Sequence, residues 1–321
     1  MRAVYFDGKC AQYKDDLPVP VRESGHSLIR ILLANVCSTD KEILKGYRPD
    51  FRGIMGHEFI GEVAESDRKD LVGKIVAGEL NEGCGTCLYC QTGREKHCLH
   101  RKVIGMSKDG CFAEYMTLAD HLIHPLPQGL DPEVAVYTEP LAAALEITKQ
   151  VHIDPAGNAA VIGDGRLAFM IAQVLALTGV DLTVIGKHEE KLAMFADFAS
   201  TKLVNDYLDA GKYRELSADE CFEYVIDAAG NKTGIELAMH LVRKMGTIVL
   251  KSTYAGKTDI DFSFFAVNEV TLVGSRCGPF EPAIKLLLEG KVKFPPVDFY
   301  DLSEYEKAFS SPAFKAGFKI G

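Results

Sequence analysis

Two stretches of this 321-residue chain carry side chains whose types and spacing could do chemistry. The first is Met55-Gly56-His57-Glu58-Phe59-Ile60-Gly61, which sets an imidazole beside a carboxylate between two glycines. Alone, such a pair is more often a satisfied polar corner than a metal site. The second is Asn81-Glu82-Gly83-Cys84-Gly85-Thr86-Cys87-Leu88-Tyr89-Cys90, with Cys98 following after seven intervening residues. Here apolar content collapses and no periodicity survives, so this lobe cannot bury enough surface to hold itself and needs a staple. Thiolates spaced by two, two and seven residues can close a tetrahedron around one Zn²⁺, with Zn–S bonds of about 2.3 Å. A disulfide pair is one rival. An iron–sulfur cluster is the other, although ferredoxins place their fourth cysteine at a different spacing. Four protein ligands leave no open position, so a zinc held by Cys84, Cys87, Cys90 and Cys98 is structural. His97 and His100 flank the lobe and read as surface residues.

Composition bounds what these stretches can belong to. With 47% apolar and 25% charged residues, the chain matches a soluble globular protein with material for two cores. The net charge of −9 argues against a nucleic-acid partner, because phosphate binding draws on clustered Lys and Arg. No run reaches the ~18 apolar residues of a membrane span, and the start Met1-Arg2-Ala3-Val4-Tyr5-Phe6-Asp7 has no apolar leader core. The other five cysteines (Cys10, Cys37, Cys111, Cys221 and Cys277) are scattered. Reduced thiols and a cytoplasmic location are therefore expected.

The elements that must position the chemistry fall into two kinds. Residues 1–80 read as β-rich, with runs at 27–33, 59–64 and 73–77. Cys37 follows one run, and Ser38-Thr39-Asp40 is placed to cap a short helix through Leu44. More strand material spans 110–116. Asp131-Pro132-Glu133 and Thr138-Glu139-Pro140 then open helices. Beyond them, strands at 158–162, 181–185, 223–227 and 246–250 alternate with helices around 171–177, 189–198 and 234–244. That rhythm predicts a parallel sheet, and no internal repeat interrupts it.

Gly163-Asp164-Gly165-Arg166-Leu167-Ala168 lies between the first strand and first helix of this rhythm, where a dinucleotide fingerprint belongs. Gly163 allows the tight turn, Gly165 lets the backbone approach a pyrophosphate, and Ala168 keeps helix and strand close. A plain tight turn is the alternative. At the end of the second strand stand Gly186-Lys187-His188, with no acid until Glu189. A small residue followed by cations suits a 2′-phosphate, so NADP is expected, with Lys187 and His188 as contacts. NAD, with Glu189 reaching back to the ribose, stays open.

Taken together, the chain resembles the zinc-dependent medium-chain alcohol and polyol dehydrogenases along essentially its whole length. The resemblance rests on Val36-Cys37-Ser38-Thr39-Asp40, Gly56-His57-Glu58, the four-cysteine lobe, Thr138-Glu139-Pro140-Leu141 and the Gly163 fingerprint, in the family's order. It is nearest the threonine-, sorbitol- and glucose-dehydrogenase-like branches. It implies an α/β chain: a β-rich, partly open barrel-like catalytic domain (1–140, with the zinc lobe at 81–100, and 276–321) around a doubly wound Rossmann domain (141–275). The segment 269–276 would return the chain to the catalytic domain. It also implies a second, catalytic zinc in the cleft, bound by Cys37 and His57. The third ligand is Glu58 or Glu139, with Glu58 favoured in the resting site and Glu139 near enough to exchange.

The implied reaction moves a hydride between a secondary alcohol, polyol or sugar and NAD(P). Hydride leaves readily only from an alkoxide, which a zinc with an open position stabilises. Thr39 matches the residue that takes the hydroxyl proton, and Asp40 the residue that fixes the His57 tautomer. Where many relatives have a proton-relaying histidine this chain has Glu42, so proton exit runs through Glu42 with a water. Each has a plainer role open to it: Thr39 as a cap, Asp40 as turn chemistry, Glu139 as an N-cap. The implied partners are a small-molecule alcohol or sugar and further copies of the chain in a homodimer or homotetramer. The rival readings are a zincless NADPH-dependent reductase and a non-catalytic nucleotide-binding protein on the same fold.

Overall fold

The computed structural model describes residues 1–253 and 257–321. They form two compact units, Met1–Glu139 with Phe280–Gly321, and Pro140–Pro279. The sequence reading divides the chain at 140/141 and 275/276 instead.

The first unit is built on a seven-stranded sheet whose spine is His26–Asn35, a strand buried along nearly all its length. It pairs antiparallel with Glu58–Glu65 throughout, with Tyr115–Ala119 at its start and with Ala316–Lys319 at its end. Ile75–Gly78 and Ile123–Pro125 extend one side, and Asp298–Tyr300 the other. The register sets Asn35 opposite Glu58, so the segments just beyond those residues, Cys37 and His57, are delivered to one place. The helix after the spine runs Ser38–Leu44 with Cys37, not the predicted Ser38-Thr39-Asp40, at its N-cap. Asp40 is the third helical residue, and its Oδ2 accepts the Cys37 N–H at 2.8 Å.

Gly56 makes the turn before His57 possible. Its φ is +90°, and a Cβ there would lie 2.2 Å from the Phe112 ring. The segment behind it is equally tight: Cys111 N–H donates to Gly56 O at 3.0 Å and Phe112 N–H to Met55 O at 2.9 Å. Phe112 in turn packs edge-on against Phe318, with ring centroids 4.9 Å apart.

The second unit holds a six-stranded, wholly parallel sheet in the order Ser200–Leu203, Asp181–Gly186, Asn158–Ile162, Phe222–Asp227, Val242–Leu250, Thr271–Gly274. The direction of winding reverses between Asn158–Ile162 and Phe222–Asp227, the switch point at which such sheets bind ligands. Three details depart from the sequence reading. The helix expected over 189–198 is only Glu189–Leu192, followed by a 3₁₀ turn Ala193–Phe195 that packs Phe195 against Phe169 and Phe198. The helix expected to reach 244 is Thr233–Leu241, because Val242 already pairs with Phe222 as strand. The segment 269–276 does not return the chain but supplies the edge strand Thr271–Gly274. No helix among the described residues is long and apolar enough to cross a membrane.

Replacing Gly56 by alanine forces a strained backbone and a ring displacement together, so Gly56→Ala is expected to destabilise the protein by about 3 kcal/mol in chemical denaturation. A loss under about 0.5 kcal/mol, the range of ordinary surface substitutions, would refute this account of the turn.

Candidate functional site

One cluster forms where the two central strands of the first unit meet. The Cys37 Sγ, a ring nitrogen of His57 and a carboxylate oxygen of Glu58 all lie within 4.8 Å of one another. His57 and Glu58 are buried, and so is Asp40 behind them. Asp40 Oδ1 stands 3.4 Å from His57 Nδ1, the position from which it can hold the tautomer that turns Nε2 away. Burial alone would lower the His57 pKa, but the Asp40 carboxylate and the Cys37 sulfur outweigh it and hold it well above the ordinary value. The negative charge that draws a proton onto this buried ring suits a divalent cation equally well.

Glu58 adds to that charge. Its Oε2 lies 2.6 Å from Lys315 Nζ, both side chains being buried, and its Oε1 has no hydrogen-bond partner among the described residues. A buried carboxylate oxygen left without a donor, beside a thiol and an imidazole, is the donor set of a zinc site. Thr39 is close to the same cluster, with its Oγ1 accepting from Cys37 Sγ at 3.7 Å. Glu42 is half-exposed and accepts from Lys45 Nζ at 2.8 Å. Glu139 stands in the first turn of the helix Thr138–Gln150 and does not join Cys37, His57 and Glu58 within the same 4.8 Å. Lys315 was not singled out in the sequence. It precedes the strand Ala316–Lys319, whose pairing with the end of the spine brings it to Glu58.

The four lobe cysteines form a second cluster whose sulfurs also lie within 4.8 Å of one another. Cys87 Sγ is 3.6 Å from Cys90 Sγ and 3.7 Å from Cys98 Sγ. A ZnS₄ tetrahedron with arms of about 2.3 Å has S···S edges of about 3.8 Å, whereas a disulfide brings two sulfurs to about 2.05 Å. All four are free thiols, and the backbone N–H groups of Cys84 and His100 both donate to Cys98 Sγ at 3.3 Å. Neither His97 nor His100 joins the cluster. The Thr86 hydroxyl and the Thr86 and Cys87 backbone amides draw the Cys84 thiol down to about 5, while burial and Cys87 push Cys90 up to about 12.

In the second unit, Gly163 turns with φ +127°, and a Cβ there would meet Ala228 O at 2.8 Å. Gly165 caps the helix Arg166–Ala176, and nothing lies within 4 Å of where its Cβ would be, so the amides behind it stay open to an anion. Leu167 is half-buried next to the wholly buried Ala168. Gly186 also sits tightly, its Cβ position being 2.7 Å from Asp164 Cβ. That contact reveals a residue whose role the sequence did not disclose. Asp164 Oδ2 accepts three N–H groups, from Lys187 N at 2.7 Å, His188 N at 2.9 Å and His188 Nδ1 at 2.9 Å. The acid missing from the end of the second strand comes across from the fingerprint turn.

Comparison with known proteins gives this geometry its context. The alcohol dehydrogenase GroES-like domain family matches residues 23–128, and the zinc-binding dehydrogenase family matches residues 167–289. The D-altritol 5-dehydrogenase of Agrobacterium fabrum is 31% identical over 290 residues, covering 86% of this chain and 84% of that protein. The chain belongs to the zinc-type medium-chain alcohol and polyol dehydrogenases. A sorbitol dehydrogenase of Halalkalibacterium halodurans is 29% identical over 94% of this chain and 91% of its own length. The fold agrees with that of a zinc-binding dehydrogenase from Sinorhizobium meliloti 1021 bound to NADP, at a TM-score of 0.87 and 23% identity, covering 99% of this chain and 98% of that one. As a dehydrogenase of this family, the protein is an oxidoreductase that uses zinc and a nicotinamide cofactor to act on the CH–OH group of a small molecule.

Proposed function

We propose that this chain is a two-zinc, NADP-linked dehydrogenase of polyols or sugars, working as a homodimer or homotetramer in the cytoplasm. The observation that carries the reading is the convergence of Cys37, His57 and Glu58 within 4.8 Å, with Thr39 beside them. Cys37, His57 and Glu58 would hold the catalytic ion, and Cys84, Cys87, Cys90 and Cys98 the structural one. When bound, the catalytic ion supplies Lewis acidity that stabilises negative charge on the substrate oxygen, and the nicotinamide supplies the hydride acceptor.

The chain's own residues do the rest. Thr39 takes the hydrogen bond of the substrate hydroxyl and receives its proton. Glu42, one helical turn further on and tied to Lys45, carries that proton out to solvent through a water. Asp40 keeps His57 in the tautomer that presents Nε2, and Lys315 balances Glu58 so that the site is not over-charged. Glu139, in the first turn of the helix Thr138–Gln150, stays outside the resting coordination as the ligand that exchanges with Glu58.

Gly163, Gly165, Arg166, Leu167 and Ala168 receive the pyrophosphate at the start of a helix, and Gly186, Lys187 and His188 face the ribose. The cation Lys187 directly after the second strand supports NADP over NAD. The names of the D-altritol and sorbitol dehydrogenases support a polyol. Self-association is supported by the edge strand Thr271–Gly274, which presents Leu272 at its surface, and by the exposed Phe262 and Val267 of the same unit. Nine free cysteines support the cytoplasm.

Metal analysis of the purified protein is expected to find two zinc ions per chain. Cys37→Ser and His57→Ala are each expected to lose one of them and about a thousandfold in turnover, the several kcal/mol that metal charge stabilisation contributes. Glu139→Gln is expected to keep both ions. At most one zinc in the wild type, or no oxidation of any alcohol or polyol by zinc-replete protein, would overturn the reading. Titration with both nucleotides is expected to show tighter binding of NADP, and tighter NAD binding would refute that part alone.

A further inference from the structure

The second unit buries a lysine at the carboxyl end of one of its parallel strands. The apolar run Ile248-Val249-Leu250, which closes the strand Val242–Leu250, is followed by Lys251, only 7% exposed. A lysine is rarely buried unless its ammonium is engaged. Here Lys251 Nζ donates to the Ala143 carbonyl at 2.5 Å, to the Arg276 carbonyl at 2.9 Å and to Ser275 Oγ at 3.2 Å. Ala143 belongs to the helix Thr138–Gln150, and Ser275 and Arg276 directly follow the edge strand Thr271–Gly274. One cation therefore ties a helix to the end of a neighbouring strand.

The same stretch of chain is pinned from other sides. Gln150 Nε2 donates to the Gly274 carbonyl at 3.3 Å, and a Cβ on Gly278 would collide with the Ala142 carbonyl, so the chain lies close against the helix. On the other flank of Lys251, its amide and that of Ser252 donate to the Asp227 carbonyl at 2.9 and 3.1 Å. Ser252 Oγ donates to Asp227 Oδ1 at 2.9 Å and accepts the Gly230 N–H at 2.8 Å. The carboxyl ends of Phe222–Asp227, Val242–Leu250 and Thr271–Gly274 are thus joined into one hydrogen-bonded shelf. A methionine of similar length would fill the space of Lys251 without the desolvation of an ammonium. It could not hold two carbonyls and a hydroxyl together.

We propose that Lys251 is a positioning residue for hydride transfer: it fixes the backbone of Ser275 and Arg276, and through that shelf the nicotinamide end of the bound cofactor. A dinucleotide lies across the switch point of such a sheet, one mononucleotide over each half. The turn at Gly163 and its Asp164 bridge to the second strand organise the adenosine half, so the three strands joined by Lys251 and Ser252 form the half left for the nicotinamide. Lys251 acts through the backbone it clamps and not by touching the cofactor. The proposal rests on the nicotinamide-dependent activity of the family and holds for NAD and NADP alike.

The test uses the full-length, zinc-loaded protein, titrated calorimetrically with the reduced dinucleotide it prefers and with the matching ADP-ribose, which lacks only the nicotinamide. The wild type is expected to bind the dinucleotide more tightly than ADP-ribose. Lys251→Met is expected to lose about tenfold on the dinucleotide, the scale of one hydrogen bond, with ADP-ribose changed by less than about twofold. Ser275→Ala removes the hydroxyl acceptor and leaves the packing alone, and is expected to lose about threefold with the same selectivity. Thermal melts check that each variant folds, and if Lys251→Met does not, Ser275→Ala decides in the same terms. If the folded variant binds both ligands as the wild type does, or weakens both equally, Lys251 serves the sheet alone and the proposal fails. If the wild type binds the dinucleotide no more tightly than ADP-ribose, the shelf does not hold the ring and the proposal fails while the cofactor reading stands. If the wild type binds neither, the cofactor reading falls and the proposal falls with it.

Discussion

Asn35 faces Glu58 across two antiparallel strands, and the corner that joins Cys37, His57 and Glu58 follows from that pairing. Because side chains alternate along a strand, a slip of one residue would turn Glu58 from one face of the sheet to the other. It would also carry His57 away from Cys37. The ladder is irregular between Leu28 and Ile29 and again between Ile31 and Leu33, and the register at the site is what remains after both shifts. The turn before His57 is held as firmly, since Gly56 is enclosed by Phe112 and by the backbone of Gly105 and Gly110. Geometry here is set by packed backbone, so the side chains of Cys37, His57 and Glu58 need little of their own to stay in place.

Charge follows the same economy of position. Asp40, Glu58, His57 and Lys315 are all buried, and an unpaired charge at that depth would be strongly destabilising. Each is instead given a neighbour of opposite sign or a backbone donor, apart from the free oxygen of Glu58. The cysteine lobe solves a different problem. Its sulfurs are mostly half-exposed and sit on a segment with almost no core, so the cluster of four thiols has to do there what packing does elsewhere.

What could be read from the sequence tracks how local the information is. The lobe and the glycine fingerprint are contiguous motifs whose spacing is itself the geometry, and the βαβ rhythm announces the parallel sheet. Cys37 and His57 are twenty residues apart, and only resemblance to a known family could pair them, because strand register is not written in either residue. Asp164 is not legible in the same way, because the acid expected after the second strand arrives instead from the neighbouring turn across a parallel ladder. The helices from 189 and 234 end earlier than their sequence pattern predicts for a similar reason. Phe195 and Val242 are drawn into packing and pairing that no local propensity records. The strand Ser200–Leu203 and the small hairpin of Leu208–Asp209 with Lys212–Tyr213 lie in a polar stretch without clear periodicity, where the sequence pattern predicts no element.

Lys315 lies 257 positions after Glu58 (315 minus 58), and the strand it introduces closes beside the spine. During synthesis at about 5–20 residues per second, the carboxylate therefore emerges on the order of ten to fifty seconds before its counter-ion exists. Throughout that interval the entire second unit is translated, and Glu58 has no Lys315 to pair with. The buried corner around Glu58 is therefore completed only when the last strand of the chain arrives.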